Sequence, residues 1–149
     1  MSGNMFMYRL APTTISTVAK ELIHIHVNAS VHLVVHEAQI TCHSTVSQVM
    51  QFALCVAGTT DGPGSTLTPH IISGNNTALS TGYGLASTNA TGLNYLDNQA
   101  VNSISGYVFL PTPELRPTIK PGAHLVLRCD STHAEDLTCL GFIKFEELY

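Results

Sequence analysis

The sequence predicts an all-β fold, a single antiparallel β-sandwich with long ordered loops. Apolar and polar residues alternate in several runs, which is the period of a half-buried strand. Four prolines between residues 111 and 121 rule out a helix before the last of these runs. A chain of 149 residues suffices for one domain that buries roughly 70% of its unfolded surface. We expect that domain to span residues 15–149.

Alternation predicts the first two strands. Residues 20–28 form a strand whose apolar face is Ile23, Ile25 and Val27. Residues 31–42 form the second, but its apolar residues occupy odd positions first and even positions afterwards. These residues are Val31, Leu33, Val35, Ala38, Ile40 and Cys42. An extra residue near His36 would cause this change of face, so we predict a β-bulge there.

Residues 45–57 fit both a helix and a strand. Thr45 and Gln48 have the spacing of a helical capping box. Four apolar residues nevertheless alternate as in a strand, namely Met50, Phe52, Leu54 and Val56. We favour the strand.

Residues 58–106 differ in composition from the rest of the chain. They contain eight glycines, and Asp61 and Asp97 are their only charged residues. Regularly spaced apolar residues within them favour short strands and long ordered loops over disorder. The turn-rich residues 59–66 lack the lysine of a phosphate-binding loop.

The chain closes with an extended crossing and two strands. Because proline fixes φ and removes an N–H donor, residues 111–121 should run extended as a strap. Strands are predicted over residues 123–130 and 137–148, with a polar loop between them, and we expect them to pair as a hairpin. The inward set of the last strand is Leu137, Cys139, Gly141, Ile143 and Phe145. Leu140 and Phe142 make its other face apolar as well, which indicates a subunit contact or a sandwich interior.

The N-terminus and the overall charge narrow the possible partners. Residues 1–14 have no clear period and contain Gly3 and Pro12, so we expect an arm. A net charge of -4, with six Lys and Arg in total, leaves no basic stripe for nucleic acid. No apolar run approaches the roughly 18 residues of a membrane span, so we expect no membrane partner. Because 11% of residues are charged, the surface should be neutral and polar, as suits a protein packed against neighbours.

The residues that could carry chemistry are few. His24 and His26 share one strand face, and His32 and His36 lie on the next strand, so a cupin-like metal site can be imagined. We favour solvent-facing or interface histidines, because alternation alone places two histidines on a polar face. His70, His124 and His133 stand alone in the sequence.

Other reactive residues also favour a non-catalytic interpretation. Glu146 and Glu147 are adjacent, so they point to opposite faces of a strand and are expected to be a solvated strand end. The four cysteines lack a CxxC pair and are expected to be free buried thiols, although Cys129 and Cys139 could face each other across the last hairpin. With no nucleophile or metalloprotease motif, we expect no enzymatic activity, no metal and no cofactor.

The order of several motifs resembles a group of small all-β structural proteins of tailed bacteriophages. Coverage begins near residue 18, and the motifs are individually weak but follow one another in the family's order. They are Lys20-Glu-Leu through His36, Gln39 to Thr45, Val56 to Thr60, Gly62-Pro-Gly-Ser, Thr68-Pro, Pro111-Thr-Pro-Glu-Leu-Arg-Pro and Phe145-Glu-Glu-Leu. This chain has Ala57-Gly58 where the family tends to have Arg-Gly, so any contact made by that arginine would be missing here.

The resemblance implies a virion protein, a decoration or cement protein of the capsid surface, assembled in the host cytoplasm. It implies a jelly-roll-like sandwich that forms a homo-oligomer, a trimer, and binds the major capsid protein. The residues of the expected arm, among them Met5 to Tyr8, would become ordered on the shell.

Two other functional classes are also consistent with the sequence. A head or tail fibre sandwich that binds carbohydrate would use Tyr83, Tyr95 or Tyr107 as sugar platforms. A cupin-like metalloenzyme would need His24 and His26 as ligands. In the strap, Glu114 and Arg116 could pair with each other or with a neighbouring subunit, but solvated charges are the simpler interpretation.

Overall fold

The computed structural model describes residues 3–16, 18–43, 46–58 and 64–149. Within these ranges the chain forms twelve β-strands and one 3-10 turn at Pro113–Leu115. The strands are β1 Asn4–Ile15, β2 Lys20–His26, β3 His32–His43, β4 Val49–Ala57, β5 Ser65–Leu67, β6 His70–Ser73, β7 Thr81–Gly84, β8 Asn94–Asn102, β9 Tyr107–Phe109, β10 Thr118–Ile119, β11 His124–Cys129 and β12 Leu137–Leu148.

The strands form two antiparallel sheets. Sheet A has the order β10-β3-β12-β1-β6, and β9 also pairs with β3. Sheet B has the order β5-β7-β2-β11-β4-β8. The predicted all-β, two-sheet architecture is therefore confirmed.

One hydrophobic core fills the space between the sheets. Each long strand contributes alternate side chains to it, as a half-buried strand must. The predicted inward residues of β2, Ile23, Ile25 and the following Val27, are fully buried. The favoured strand at β4 is also confirmed, because Met50, Phe52 and Leu54 lie in the same core.

The β-bulge predicted near His36 is present. Between β12 and β3, Lys144 pairs with Glu37 and Phe145 pairs with Val35, so His36 is the additional residue. An extra residue reverses the alternation that follows it. The bulge explains how Val35 and Ala38, three positions apart, both face the core.

Residues 58–106 contain short strands and ordered loops, as predicted. Strands β5, β6 and β7 have three or four residues, and β8 has nine. Of the expected turn-rich connection over residues 59–66, residues 59–63 lie outside the described residues, and Ser65 and Thr66 belong to β5.

The expected N-terminal arm is instead a strand. Residues 4–15 form β1, which lies inside sheet A and pairs with β12 on one side and with β6 on the other. Alternation is present after all, since Phe6, Tyr8 and Leu10 are buried while Met7 and Arg9 face outward. Because Gly3 and Pro12 lie near the ends of β1, the alternating run is too short to be recognised from the sequence.

The expected closing hairpin is also wrong. Strands β11 and β12 form at the predicted positions, but β11 lies in sheet B and β12 in sheet A. The polar residues 131–136 therefore cross from one sheet to the other. Cys129 and Cys139 cannot face each other across a hairpin, although both thiols point into the core.

The proline strap is extended only in part. A 3-10 turn occupies Pro113–Leu115, where proline at the first helical position is tolerated because its missing N–H would have no partner. After it, the two-residue β10 pairs with Leu33 and Val34 at one edge of sheet A. An edge position is the one that suits a proline-rich segment.

Candidate functional site

A cluster of four ionisable residues lies on the outer face of sheet B. We call Glu21, His24, His26 and His124 the histidine cluster. His24 and His26 point away from the core because their neighbours Ile23 and Ile25 point into it. Glu21 joins them because the register between β2 and β11 shifts at Leu22, which places Glu21 and His24 on one face although they are three residues apart.

The rings of the cluster are in contact. His24 Nε2 lies 2.8 Å from His124 Nδ1, and His24 Nδ1 lies 3.5 Å from a Glu21 carboxylate oxygen. The His26 ring stacks on the His124 ring with centroids 4.5 Å apart. Tyr83, opposite His24 on β7, meets the His24 ring edge-on at 6.3 Å between centroids.

A loop covers the inner end of the cluster. Glu21 is fully buried, and one of its carboxylate oxygens accepts a 2.6 Å hydrogen bond from the Ala90 N–H. Asn89 accepts from the Glu21 N–H and donates to the Ala19 carbonyl. Ala90 also packs on Val126 of β11. The expectation of solvent-facing or interface histidines is therefore wrong for His24, which is 4% exposed because its own chain covers it, whereas His26 is exposed.

The environment favours a neutral His124. Burial is the largest cause, and with the neighbouring His24 and His26 it lowers the pKa of His124 to about 4, although the Glu21 carboxylate opposes the shift. The side chains of Glu21, His24 and His124 form a row, in which a 3.5 Å carboxylate–imidazole contact is followed by a 2.8 Å hydrogen bond between the two imidazoles. This row of side chains joins β2, β11 and the covering loop.

The four histidines of the imagined metal site are not brought together. His24 and His26 lie in sheet B, whereas His32 and His36 lie in sheet A. His36 instead contacts Glu146 at 3.1 Å. Among the described residues, no group of three or more His, Cys, Asp and Glu side chains is placed to hold a metal ion.

Glu147 contradicts the expected solvated strand end. Glu146 and Glu147 do point to opposite faces, but Glu147 is fully buried and accepts hydrogen bonds from the N–H groups of Leu79 (3.0 Å) and Ser80 (2.7 Å). Tyr8 donates to the Ser80 carbonyl at 2.6 Å. Glu147 thus anchors the loop that carries the chain from β6 in sheet A to β7 in sheet B.

Sequence reasoning missed His124 as a partner of His24 and missed the anchoring role of Glu147. The signal for His124 was its position on a predicted strand next to inward Leu125, which places it on the outer face. Nothing in the sequence indicated that β11 would pair with β2.

The three candidate tyrosines have different environments. Tyr107 is fully buried and donates to Asp97 at 2.8 Å, so it cannot serve as a sugar platform. Tyr95 is 44% exposed and its hydroxyl donates to Asp130 at 2.6 Å. This hydrogen bond is the main reason that the pKa of Tyr95 is raised to about 12. Tyr83 packs on His24.

The remaining candidates are dispersed. Glu114 is exposed and Arg116 is half-buried. His70 is exposed on β6, and His133 is buried in the loop between β11 and β12.

The outer face of sheet A has an apolar centre. Strands β1 and β12 place Met5, Met7, Leu140 and Phe142 there, and all four side chains are half-buried. A depression of about 370 Å³ lies on this face. Leu140 and Phe142 thus lie on the side of β12 that faces away from the core, and not in the sandwich interior.

Charged and polar groups surround the apolar outer face. Arg9 and Gln39 line the depression beside Met7. Lys144 donates to Glu37 at 2.6 Å, and its ammonium group lies 5.0 Å from the centre of the Phe142 ring. An apolar centre with a polar rim is the anatomy of a protein contact surface.

Comparisons of the chain with protein-family models, curated proteins and solved structures found no match. Within the described residues, no helix has the length and apolar character needed to cross a membrane.

Proposed function

We propose that this protein is a structural component of a tailed-bacteriophage virion, a decoration protein that binds the major capsid protein and stabilises the head shell. The motif order from Lys20 to Leu148 supports this family assignment. The sparse charge supports a role in an assembly, not on nucleic acid. We propose no catalytic role.

The observation that carries the proposal is the apolar outer face of sheet A. The middle of strand β12 is apolar on both sides, although only its inner side contributes to the core of one chain. Met7, Leu140 and Phe142 are large, half-buried apolar side chains that line the depression on this face. Contiguous apolar surface of this kind marks an interaction site.

The pairing of the strands supports a jelly-roll topology. Strands pair from the two ends of the chain inward: β1 with β12, β2 with β11, β3 with β9 and β10, and β4 with β8. Strands β1 to β4 alternate between the two sheets. A long hairpin rolled into a sandwich gives this nested order, and jelly rolls are common among viral capsid proteins.

The proposed mechanism is mechanical. A homotrimer that binds several capsid subunits at once would tie them together, because each contact after the first forms at a high effective concentration. Rupture of the shell would then require several contacts to break together.

The test is binding to expanded capsids that lack the protein, from the phage that encodes it. We expect saturable co-sedimentation and a higher temperature of capsid disruption. The substitution Phe142→Glu should lower the apparent affinity more than tenfold, because it places a charge in the apolar outer face.

The matched control is Leu115→Glu, since Leu115 is a 75% exposed apolar residue on the strap. We expect it to bind like the wild type, and circular dichroism should show that both variants are folded. Absence of saturable binding by the wild-type protein would refute the proposal, and equal loss in both variants would refute the role of this face.

A further inference from the structure

Two cysteine side chains approach each other inside sheet A. Cys42 of β3 and Cys139 of β12 occupy directly opposed positions, and their sulfur atoms lie 3.0 Å apart. Opposed residues of antiparallel strands have Cα atoms about 4.5 to 5.5 Å apart. That separation falls within the range that a disulfide spans without movement of the backbone.

The two thiols differ in a way that suits stepwise oxidation. Cys42 lies near the end of β3 and is half-buried, whereas Cys139 is fully buried. A hydrogen bond from Cys139 lowers the pKa of the Cys42 thiol, and the same bond together with burial raises the pKa of Cys139. Cys42 is therefore both the more accessible of the two thiols and the one that ionises more readily.

A third cysteine, Cys129, is an alternative partner for a disulfide with Cys139. Cys129 reaches the same core from β11 of sheet B, and its thiol donates to the Ser131 carbonyl at 3.4 Å. Cys55 differs, because it lies on β4 outside this core cluster and burial raises the pKa of its thiol to about 11.

We propose that Cys42 and Cys139 are a thiol–disulfide site that closes into a cross-strand bond between β3 and β12 on exposure to a small-molecule disulfide such as oxidised glutathione. The Cys42 thiolate attacks one sulfur of oxidised glutathione and releases one glutathione thiolate. The Cys139 thiolate then attacks the Cys42 sulfur of the mixed disulfide and releases the second. The protein loses two protons and two electrons, and two glutathione molecules are formed.

The site goes beyond the proposed function, and its chemistry does not depend on that function. One consequence does rest on the proposed function. A virion assembled in a reducing cytoplasm would carry Cys42 and Cys139 as thiols, and the disulfide would form after release from the cell.

Peptide mapping can identify the bond. Arg116 and Lys120 are each followed by proline, which trypsin does not cleave, so one tryptic peptide spans residues 21–128 and another spans residues 129–144. The first contains Cys42 and Cys55, and the second contains Cys129 and Cys139. When Cys55 and Cys129 are both replaced by serine, Cys42 and Cys139 form the one pair that can join the two peptides. A bond from Cys42 to Cys139 joins the two peptides, whereas a bond from Cys129 to Cys139 stays within the second.

The experiment incubates the purified full chain with oxidised glutathione under native conditions. Free-thiol titration should fall from four to two, and the two peptides should be joined in the wild type and in a variant that combines Cys55→Ser with Cys129→Ser. The oxidised wild type should unfold about 10 °C above its reduced form, because the bond closes a long loop.

The variant Cys42→Ser is the matched control, since it removes the half-buried thiol and leaves the fully buried one. It should keep three free thiols and the same unfolding temperature with and without oxidant. Four remaining thiols in the wild type, a lasting mixed disulfide with glutathione, or a bond within residues 129–144 would each overturn the proposal. Capsid binding would be unaffected by these outcomes, so the two proposals fail separately.

Discussion

Two buried carboxylates illustrate how single residues hold this fold together. Glu21 accepts a hydrogen bond from the Ala90 N–H, and Glu147 accepts from Leu79 and Ser80. In both cases a charge on a strand satisfies backbone N–H groups of a loop that would otherwise be buried without partners. Hydrogen bonds to a charged acceptor are stronger than neutral ones, so each carboxylate fixes the course of its loop.

Replacing Glu147 should therefore be costly. We expect Glu147→Ala to lower the free energy of unfolding by about 3 kcal/mol, because it leaves the buried Ser80 N–H and the partly buried Leu79 N–H without an acceptor. Glu146→Ala is the control, since Glu146 lies on the opposite face with its side chain 23% exposed, and should cost about 1 kcal/mol. Urea denaturation measures both. Equal costs would contradict the anchoring role.

The depressed pKa of His124 predicts a loss of stability in mild acid. The unfolded chain protonates this histidine below about pH 6.5, whereas the folded chain does so only near its pKa of about 4. Between these values the unfolded state binds more protons, so stability falls as pH drops through this window, on the order of 2 kcal/mol.

Urea denaturation at pH 7 and pH 4.5 measures this loss. The variant His124→Gln should lose less stability between the two pH values than the wild type. An identical pH dependence in the two proteins would contradict the assignment.

At the scale of elements, β1 is the strand whose position the sequence did not predict. It pairs with β12 over most of its length and contributes Phe6 and Tyr8 to the core, where both rings contact Phe145. Its outer side helps to form the apolar outer face of sheet A. The N-terminal segment is thus part of the domain and of its proposed contact surface.

Substitutions at adjacent positions distinguish this strand from an arm. We expect Phe6→Ala to lower the free energy of unfolding by about 3 to 5 kcal/mol, because Phe6 is fully buried. Met7→Ala should cost about 1 kcal/mol, since Met7 is half-buried on the outer face. Similar small costs for both would indicate a segment that does not belong to the core.

At the scale of the whole molecule, the nested pairing predicts cooperative unfolding. The first four strands alternate between the two sheets, and the first strand pairs with the last. Any stretch that contains two consecutive strands from β1 to β4 cannot detach without breaking pairs in both sheets. We expect one transition with the same midpoint by far-ultraviolet circular dichroism and by tyrosine fluorescence. Two separated midpoints would show that the sheets unfold independently.

The parts of the fold that sequence reasoning predicted are those governed by neighbours along the chain. The inward face of β2, the strand at β4 and the bulge at His36 follow from local alternation of apolar residues. The predicted hairpin failed because a polar loop of six residues can either reverse within one sheet or cross between two. Alternation is the same in both cases, so it cannot distinguish them.

By itself, the sequence determined that the chain is all-β, where most strands run and which side chains they bury, because these properties depend on the two-residue period of a strand. Only the tertiary structure decided which strands are neighbours. That decision placed His24 against His124, Cys42 against Cys139 and Glu147 beneath residues 79 and 80. Each of these contacts joins residues far apart in the chain, and their register is set by the packing of the two sheets.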